Sequence, residues 1–118
     1  MRGVPTLRVT HVFSGIAVAD FASATGWYQQ LFGRPPDIVP HATEAVWNLA
    51  HGGLVYVVGD TQRAGGGLVM LMVDDLDQTL GELAARGLQA GLVETMGSGA
   101  RKATLTDPDG NRISFGQA

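Results

Sequence analysis

Three histidines are the side chains in this sequence best suited to bind a metal ion or carry a proton, and they are widely spaced at His11, His41 and His51. His41 and Glu44 form an imidazole–carboxylate pair in one short loop, where a solvated role and a catalytic role both remain open. No nucleophile stands beside a base, and cysteine is absent, which excludes thiolate metal sites and cysteine nucleophiles. One enzymatic possibility is metal-free acid–base chemistry by His41, Glu44 or Tyr56.

The composition is that of one globular domain. The chain has 118 residues, of which 45% are hydrophobic and 16% charged, and its formal net charge is −3. The eight basic residues are scattered, so we expect no nucleic-acid partner. The longest apolar run, residues 66–73, is too short to cross a bilayer, so we expect no membrane partner. No signal peptide is visible in the first ten residues, which favours the cytoplasm.

The first half of the chain is predicted to contain one strand, one helix and three further strands. The first strand is predicted over 9–18, and Asp20 follows it as a helix N-cap. Apolar side chains then recur at spacings of three and four, and Gly33 ends that helix before two prolines. The further extended segments are predicted over 37–40, 44–49 and 54–58.

The second half repeats this order. A strand over 68–73 precedes Asp75, which is a second N-cap with Gln78 three residues later, and Gly87 ends the second helix. The further strands are predicted over 90–95, 101–106 and 113–116. The segment Val18-Ala-Asp-Phe21 matches Val73-Asp-Asp-Leu76 at a shift of 55 positions, which indicates an internal duplication. We therefore expect one domain over 1–118, with module one over about 8–59, a linker over 60–66 and module two over about 67–118.

Two stretches carry a family likeness: Ile16-Ala-Val-Ala-Asp-Phe21 with Leu31-Phe-Gly33, and the closing Asp107-Pro-Asp-Gly-Asn-Arg-Ile-Ser-Phe115. Together they resemble the vicinal oxygen chelate superfamily, which includes glyoxalase I, extradiol dioxygenases, fosfomycin-resistance proteins and bleomycin-resistance proteins. The resemblance implies an α+β fold of two tandem βαβββ modules, whose curled mixed sheets surround a cavity and carry helices on their outer face. It also implies a homodimer.

Metal-dependent members of that superfamily bind one divalent ion through the first and last strands of each module. The corresponding positions in this sequence are Phe13, Leu68, Ser114 and Tyr56, with Val57 as the alternative to Tyr56. None of these side chains is an imidazole or carboxylate donor, so we expect no metal and no cofactor. A register slip of two residues could instead bring His11 to the first ligand position, and this alternative stays open.

An apolar and aromatic binding site is expected in place of the metal site. Period-two alternation directs one face of each strand into the cavity, and Trp47 would add a stacking surface. Arg112 or Arg101 could pair with an anionic group of a ligand. The residues expected to bind the ligand are Phe13, Trp47, Tyr56, Leu68, Met70, Arg112 and Ser114.

The function predicted from these observations is metal-independent binding of a small aromatic or amphipathic molecule, similar to the bleomycin-resistance branch. Such a protein would sequester an antibiotic or metabolite without breaking a bond. The alternative is a small enzyme of the superfamily, a lyase, isomerase or dioxygenase, that uses acid–base residues or a rearranged metal site. A third hypothesis, an interaction subunit without a small ligand, predicts that the cavity is filled by the protein's own side chains.

Overall fold

The computed structural model describes residues 7–118, and these residues form eight strands and two helices. In chain order the elements are β1 (Val12–Val18), α1 (Phe21–Phe32), β2 (Ile38–His41), β3 (Glu44–Ala50), β4 (Gly53–Gly59), β5 (Leu68–Met72), α2 (Leu76–Ala85), β6 (Glu94–Thr95), β7 (Arg101–Thr106) and β8 (Arg112–Gln117). None of the helices in this part of the chain is both long and apolar enough to cross a membrane.

The strands form two mixed four-stranded sheets with the same plan. The first sheet has the order β1-β4-β3-β2, and the second has the order β5-β8-β7-β6. The first strand of each module runs parallel to the last, while the remaining pairs are antiparallel. A helix connects the first strand to the others in each half. The predicted α+β fold of two tandem βαβββ modules is therefore confirmed.

Both helices begin at the predicted aspartates. The side chain of Asp20 accepts a hydrogen bond of 3.2 Å from the Ser23 N–H, and that of Asp75 accepts one of 3.0 Å from the Gln78 N–H. These bonds satisfy amides that lack a partner in the first helical turn. Gly33 ends α1 in the left-handed conformation, with φ of 75°, which a side chain would disfavour.

Two predicted strands are shorter in the structure by more than one residue. β1 begins at Val12 because its parallel partner β4 begins opposite it, at Gly53, after a turn. The strand expected over 90–95 is reduced to Glu94–Thr95. Before these two residues, the Gly91 N–H donates to the Thr104 carbonyl, and Leu92 is 91% exposed. Residues 90–93 therefore lie beside the sheet edge without extending its ladder.

One hydrophobic core joins the two modules on the helix side of the sheets. It includes Tyr28 and Trp47 from module one together with Leu83 and Ile113 from module two. Polar contacts cross the same boundary: the Asn111 side-chain amide donates to the Ala17 carbonyl at 2.9 Å. The helices and this core lie on one side of the sheets, and we call the opposite side of each sheet the concave face of that module.

Candidate functional site

The concave face of module two is a grid of apolar, hydroxyl and cationic side chains. The parallel pairing places Leu68 beside Arg112 and Met70 beside Ser114. The antiparallel pairing adds Thr104 beside Ser114, and their hydroxyl oxygens lie 2.7 Å apart. Neighbouring side chains of the same strands, such as Ala103, Leu105 and Ile113, point into the core instead. Strand alternation thus separates a candidate binding face from a packed one.

This face lines an open cavity of about 640 Å³. The volume lies within the range of pockets that hold small organic molecules. The lining residues are Leu68, Val69, Met70, Glu94, Lys102, Thr104, Thr106, Arg112 and Ser114. Four of the sequence-predicted ligand-binding residues are among them: Leu68, Met70, Arg112 and Ser114. All the lining residues belong to module two.

The concave face of module one carries Phe13 and Tyr56, two further predicted residues. Their ring centroids lie 6.5 Å apart, with the planes tilted by 58°. The Tyr56 ring lies over Gly15, where an added Cβ would come within 2.5 Å of the tyrosine Cζ and hydroxyl oxygen. Glycine at this position therefore allows the ring to rest on β1. Phe13 stays 54% exposed, which leaves an aromatic surface open to a ligand or a partner.

Trp47 lies on the other face of the same sheet, and the expectation that it stacks on a ligand is corrected here. It pairs with Val55, on the helix side, whereas Tyr56 pairs with its neighbour Val46 on the concave side. Its ring is fully buried, 5.2 Å from that of Phe32, and its indole N–H donates to the Arg34 carbonyl at 3.0 Å. Strand parity makes Trp47 a core residue.

The residues at the expected metal positions do not fit a divalent ion. Phe13 and Leu68 carry no donor atom, and the Ser114 hydroxyl is already engaged with Thr104. Across residues 7–118, no three His, Asp or Glu side chains gather into a group that could hold a metal ion. His11 precedes β1, is exposed, and hydrogen-bonds the Thr10 hydroxyl at 2.9 Å, outside the strand that a register slip would need.

His41 and Arg101 each have a carboxylate partner, on different faces of the two sheets. His41 Nε2 lies 3.2 Å from Glu44 Oε1 at the β2–β3 turn of module one, where the imidazole is exposed. Arg101 points to the helix side and pairs with Asp77 of α2 at 3.3 Å. Of the two arginines considered for an anionic ligand, Arg112 therefore lies in the cavity and Arg101 does not.

Sequence reasoning missed the polar wall of the cavity, which β6 and β7 supply. Thr104 and Thr106 alternate with buried Ala103 and Leu105, so period-two alternation along β7 could have placed the hydroxyls beside Ser114. Lys102 follows the same alternation. Alternation along the strand predicted over 90–95 could not place Glu94 in the same way, because only Glu94 and Thr95 form a strand there.

The pattern that describes the Glyoxalase/Bleomycin resistance protein/Dioxygenase superfamily matches residues 8–115. The chain belongs to this superfamily. A glyoxalase / bleomycin resistance protein from Catenulispora acidiphila DSM 44928 is 44% identical, and the match covers 92% of this chain and 97% of that one with a TM-score of 0.86. None of the curated proteins compared with the chain matches it.

Two more distant solved structures share the fold. A bleomycin-binding protein complexed with bleomycin is 20% identical, with 92% of this chain and 98% of that chain covered and a TM-score of 0.72. A bleomycin resistance determinant encoded on the transposon Tn5 is 19% identical, with 91% and 96% covered and a TM-score of 0.75. These likenesses support the architecture of two tandem modules.

Proposed function

We propose that this superfamily member binds a small amphipathic organic molecule without a metal ion. The observation that carries the proposal is the composition of module two's concave face. Met70 and Leu68 supply an apolar wall that is 49% and 79% exposed, and Ser114 and Thr104 supply hydroxyls on the same surface. An apolar wall with a few converging polar groups is the usual form of a small-molecule site.

The bleomycin complex of the distant neighbour gives the proposal a precedent for ligand binding within this fold. The neighbour binds bleomycin, whereas the ligand proposed for this chain is defined only by the chemistry of its own cavity. Sequestration fits that cavity better than bond-breaking chemistry, because the described residues that line it include no nucleophile with an adjacent base.

We also propose that the protein is a homodimer. Large apolar side chains are uncovered on the concave faces of both modules, including Phe13, Met70 and Met72. Exposed apolar patches of this kind commonly mark interaction surfaces. A second copy that covers part of these faces would narrow the open cavity and exclude water from a bound ligand.

The test uses the neutral fluorescent probe N-phenyl-1-naphthylamine, titrated into the purified protein with and without EDTA. We expect saturable binding that EDTA leaves unchanged. Met70→Ala should weaken it, because the cavity loses part of its apolar wall. Leu92→Ala is the matched control, since Leu92 is exposed but does not line the cavity. Absence of saturable binding, or binding that EDTA abolishes and Mn²⁺ or Zn²⁺ restores, would contradict the proposal.

A second candidate function is metal-free acid–base catalysis on module one. The register places His41, Glu44 and Tyr56 on one concave face. His41 pairs with Glu44, and Tyr56 pairs with Val46, which lies two residues after Glu44 on β3. The hydrogen bond between His41 and Glu44 is the specific observation in its favour. Stoichiometric stabilisation by a compound that the protein converts to product, with the conversion lost in His41→Gln, would favour this enzyme over a binding protein.

A further inference from the structure

Arg112 stands at one end of module two's concave face, where its exposed side chain lines the cavity. Its position is fixed on the backbone by pairing with Leu68 on one side and Thr106 on the other. The ion pairs found within residues 7–118 do not include it; their basic residues are Arg34, His41, Arg63 and Arg101. The cavity therefore holds a guanidinium whose charge the described residues leave unpaired.

The acidic groups nearest in the chain are occupied elsewhere. The Asp107 carboxylate is buried and accepts hydrogen bonds from the Tyr28 hydroxyl and from Asn111. The Asp109 carboxylate accepts from the Ala19 N–H at 3.3 Å, across the module boundary. Both carboxylates thus serve the contact between modules and not the cavity.

Glu94 is the acidic residue that lines the cavity itself, and it lies at the other end. It pairs with Lys102 across β6 and β7, whereas Arg112 is level with Thr106. Thr106 is four residues along β7 from Lys102, which corresponds to about 13 Å of strand. That separation exceeds the Debye length of about 10 Å at 0.1 M salt, so Glu94 does little to offset the charge of Arg112.

Hydroxyl donors stand beside this arginine. Thr106 is its direct cross-strand neighbour, and the Thr104 and Ser114 hydroxyls follow in the next row of the sheet. A guanidinium with adjacent hydroxyls is suited to bind an anionic oxygen group, since each of them can donate hydrogen bonds to it. The apolar side chains of Leu68 and Met70 begin immediately alongside, in the neighbouring strand.

We propose that the ligand of this cavity is an amphipathic organic anion whose carboxylate or phosphate group is bound by Arg112 while its apolar part rests on Leu68 and Met70. The inference rests on the proposed small-molecule function and adds the charge of the ligand to it. It also gives the polar end of the ligand a defined place, at the Arg112 end of β8 and away from Glu94.

The test compares two probes that share one ring system. The anion 8-anilinonaphthalene-1-sulfonate and the neutral N-phenyl-1-naphthylamine are titrated into wild type, Arg112→Gln and Arg101→Gln. The last variant is the matched control, because Arg101 lies in the same sheet but pairs with Asp77 on the helix side. We expect Arg112→Gln to raise the dissociation constant of the anionic probe by about tenfold, which corresponds to the loss of one charge-assisted hydrogen bond. The neutral probe, and Arg101→Gln with either probe, should be unchanged.

Two further arms define the ligand. Added salt should weaken binding of the anionic probe to wild type but have much less effect on Arg112→Gln, because that variant lacks the charge pair between Arg112 and the probe that salt screens. Unlabelled 1-naphthoate should displace the anionic probe, while inorganic phosphate at the same concentration should not, since phosphate lacks an apolar part.

The outcomes separate this inference from the function on which it rests. Binding of both probes with equal affinity, or equal losses in Arg112→Gln and Arg101→Gln, would overturn the anion assignment and leave small-molecule binding intact. Displacement by inorganic phosphate as effective as that by 1-naphthoate would overturn the amphipathic character of the ligand. Failure of both probes to bind would overturn the proposed function itself.

Discussion

The Tyr28 hydroxyl, in module one, donates a hydrogen bond of 2.7 Å to Oδ2 of Asp107, in module two. The same carboxylate accepts from the Asn111 side chain at 2.8 Å and from the Asp109 and Asn111 backbone N–H groups at 2.9 Å each. Burial, followed by the Asp107 hydrogen bond and charge, raises the pKa of Tyr28 far above its usual range. The phenol is therefore a permanent donor, and the closing turn holds the two modules together.

Removing this donor should destabilise the whole chain. In Tyr28→Phe a buried carboxylate loses one of its partners, and we expect the free energy of unfolding to fall by about 1–3 kcal/mol. Urea denaturation at pH 7 measures the change. Tyr56→Phe is the control, because the Tyr56 ring lies on the concave face away from this network. Equal losses in the two variants would show that the contact between modules carries no special stability.

The closing turn shows what the sequence can and cannot predict. The Asp-Pro-Asp-Gly-Asn composition indicates a tight turn, and the structure has one, with the Asp107 N–H donating to the Asn111 carbonyl. Local turn rules do not reveal that Asp107 and Asn111 are buried, because their partners Tyr28 and Ala17 lie 79 and 94 positions earlier. Contacts this distant in sequence arise only from the packing of one module on the other.

For the candidate site, too, the sequence predicts what is local and misses what depends on packing. Strand alternation correctly groups Phe13 with Tyr56, and Met70 with Ser114, because parity is a local property of each strand. Trp47 has the size and chemistry of a ligand-stacking residue, but its parity directs it into the core. Parity also separates Arg101 from Arg112, since Arg101 shares the helix side of β7 with Ala103. The ion pair of Arg101 with Asp77, in contrast, follows only from the packing of α2 on the sheet.

Gly15 should be essential for the position of the Tyr56 ring. A methyl group there would come within 2.5 Å of the ring's Cζ and hydroxyl oxygen, so Gly15→Ala must turn the half-buried Tyr56 side chain aside, and we expect a loss of about 0.5–1.5 kcal/mol of stability for the displaced rotamer. Gly26→Ala is the matched control, because nothing lies within 4 Å of its added Cβ and the residue is inside α1. That substitution should instead stabilise the protein by roughly 0.5–1 kcal/mol. Thermal and urea unfolding of both variants measure the opposite signs, and a gain in Gly15→Ala would contradict the observed packing.

Asp37 should make stability depend on pH in the acid range. The hydrogen bond from the Asn48 N–H is the main influence that holds the pKa of its carboxyl below the usual value, and the hydrogen bond from Arg34 is the second. A carboxyl whose pKa is lowered in the folded state stabilises the protein at pH values above its unfolded-state pKa of about 3.9. This contribution is lost as the pH falls through the folded-state pKa. The stability difference between wild type and Asp37→Asn should therefore be constant at neutral pH and shrink below about pH 4.

Arg34→Gln tests the cause of this pH dependence. The Asn48 backbone bond to Asp37, at 2.6 Å, is the larger influence and survives the substitution. We therefore expect Arg34→Gln to retain most of the acid-range dependence that Asp37→Asn removes, as measured by urea unfolding between pH 2.5 and 7. Complete loss of that dependence in Arg34→Gln would instead make the ion pair the dominant cause.

The proposed homodimer should depend on the aromatic side chain at Phe13. This residue is 54% exposed on a concave face, and a lysine there would have to bury its charge in an apolar contact. We expect Phe13→Lys to raise the dimer dissociation constant by roughly 30-fold or more, the effect of losing an interface residue worth about 2 kcal/mol. Val39→Lys is the matched control, since Val39 is similarly exposed, at 58%, but lies on β2 at the opposite edge of the same sheet. Sedimentation velocity over a concentration series distinguishes the variants. A wild-type protein that stays monomeric at every concentration would overturn the proposed dimer, and a Val39→Lys variant that dissociates as readily as Phe13→Lys would show that Phe13 has no special part in it.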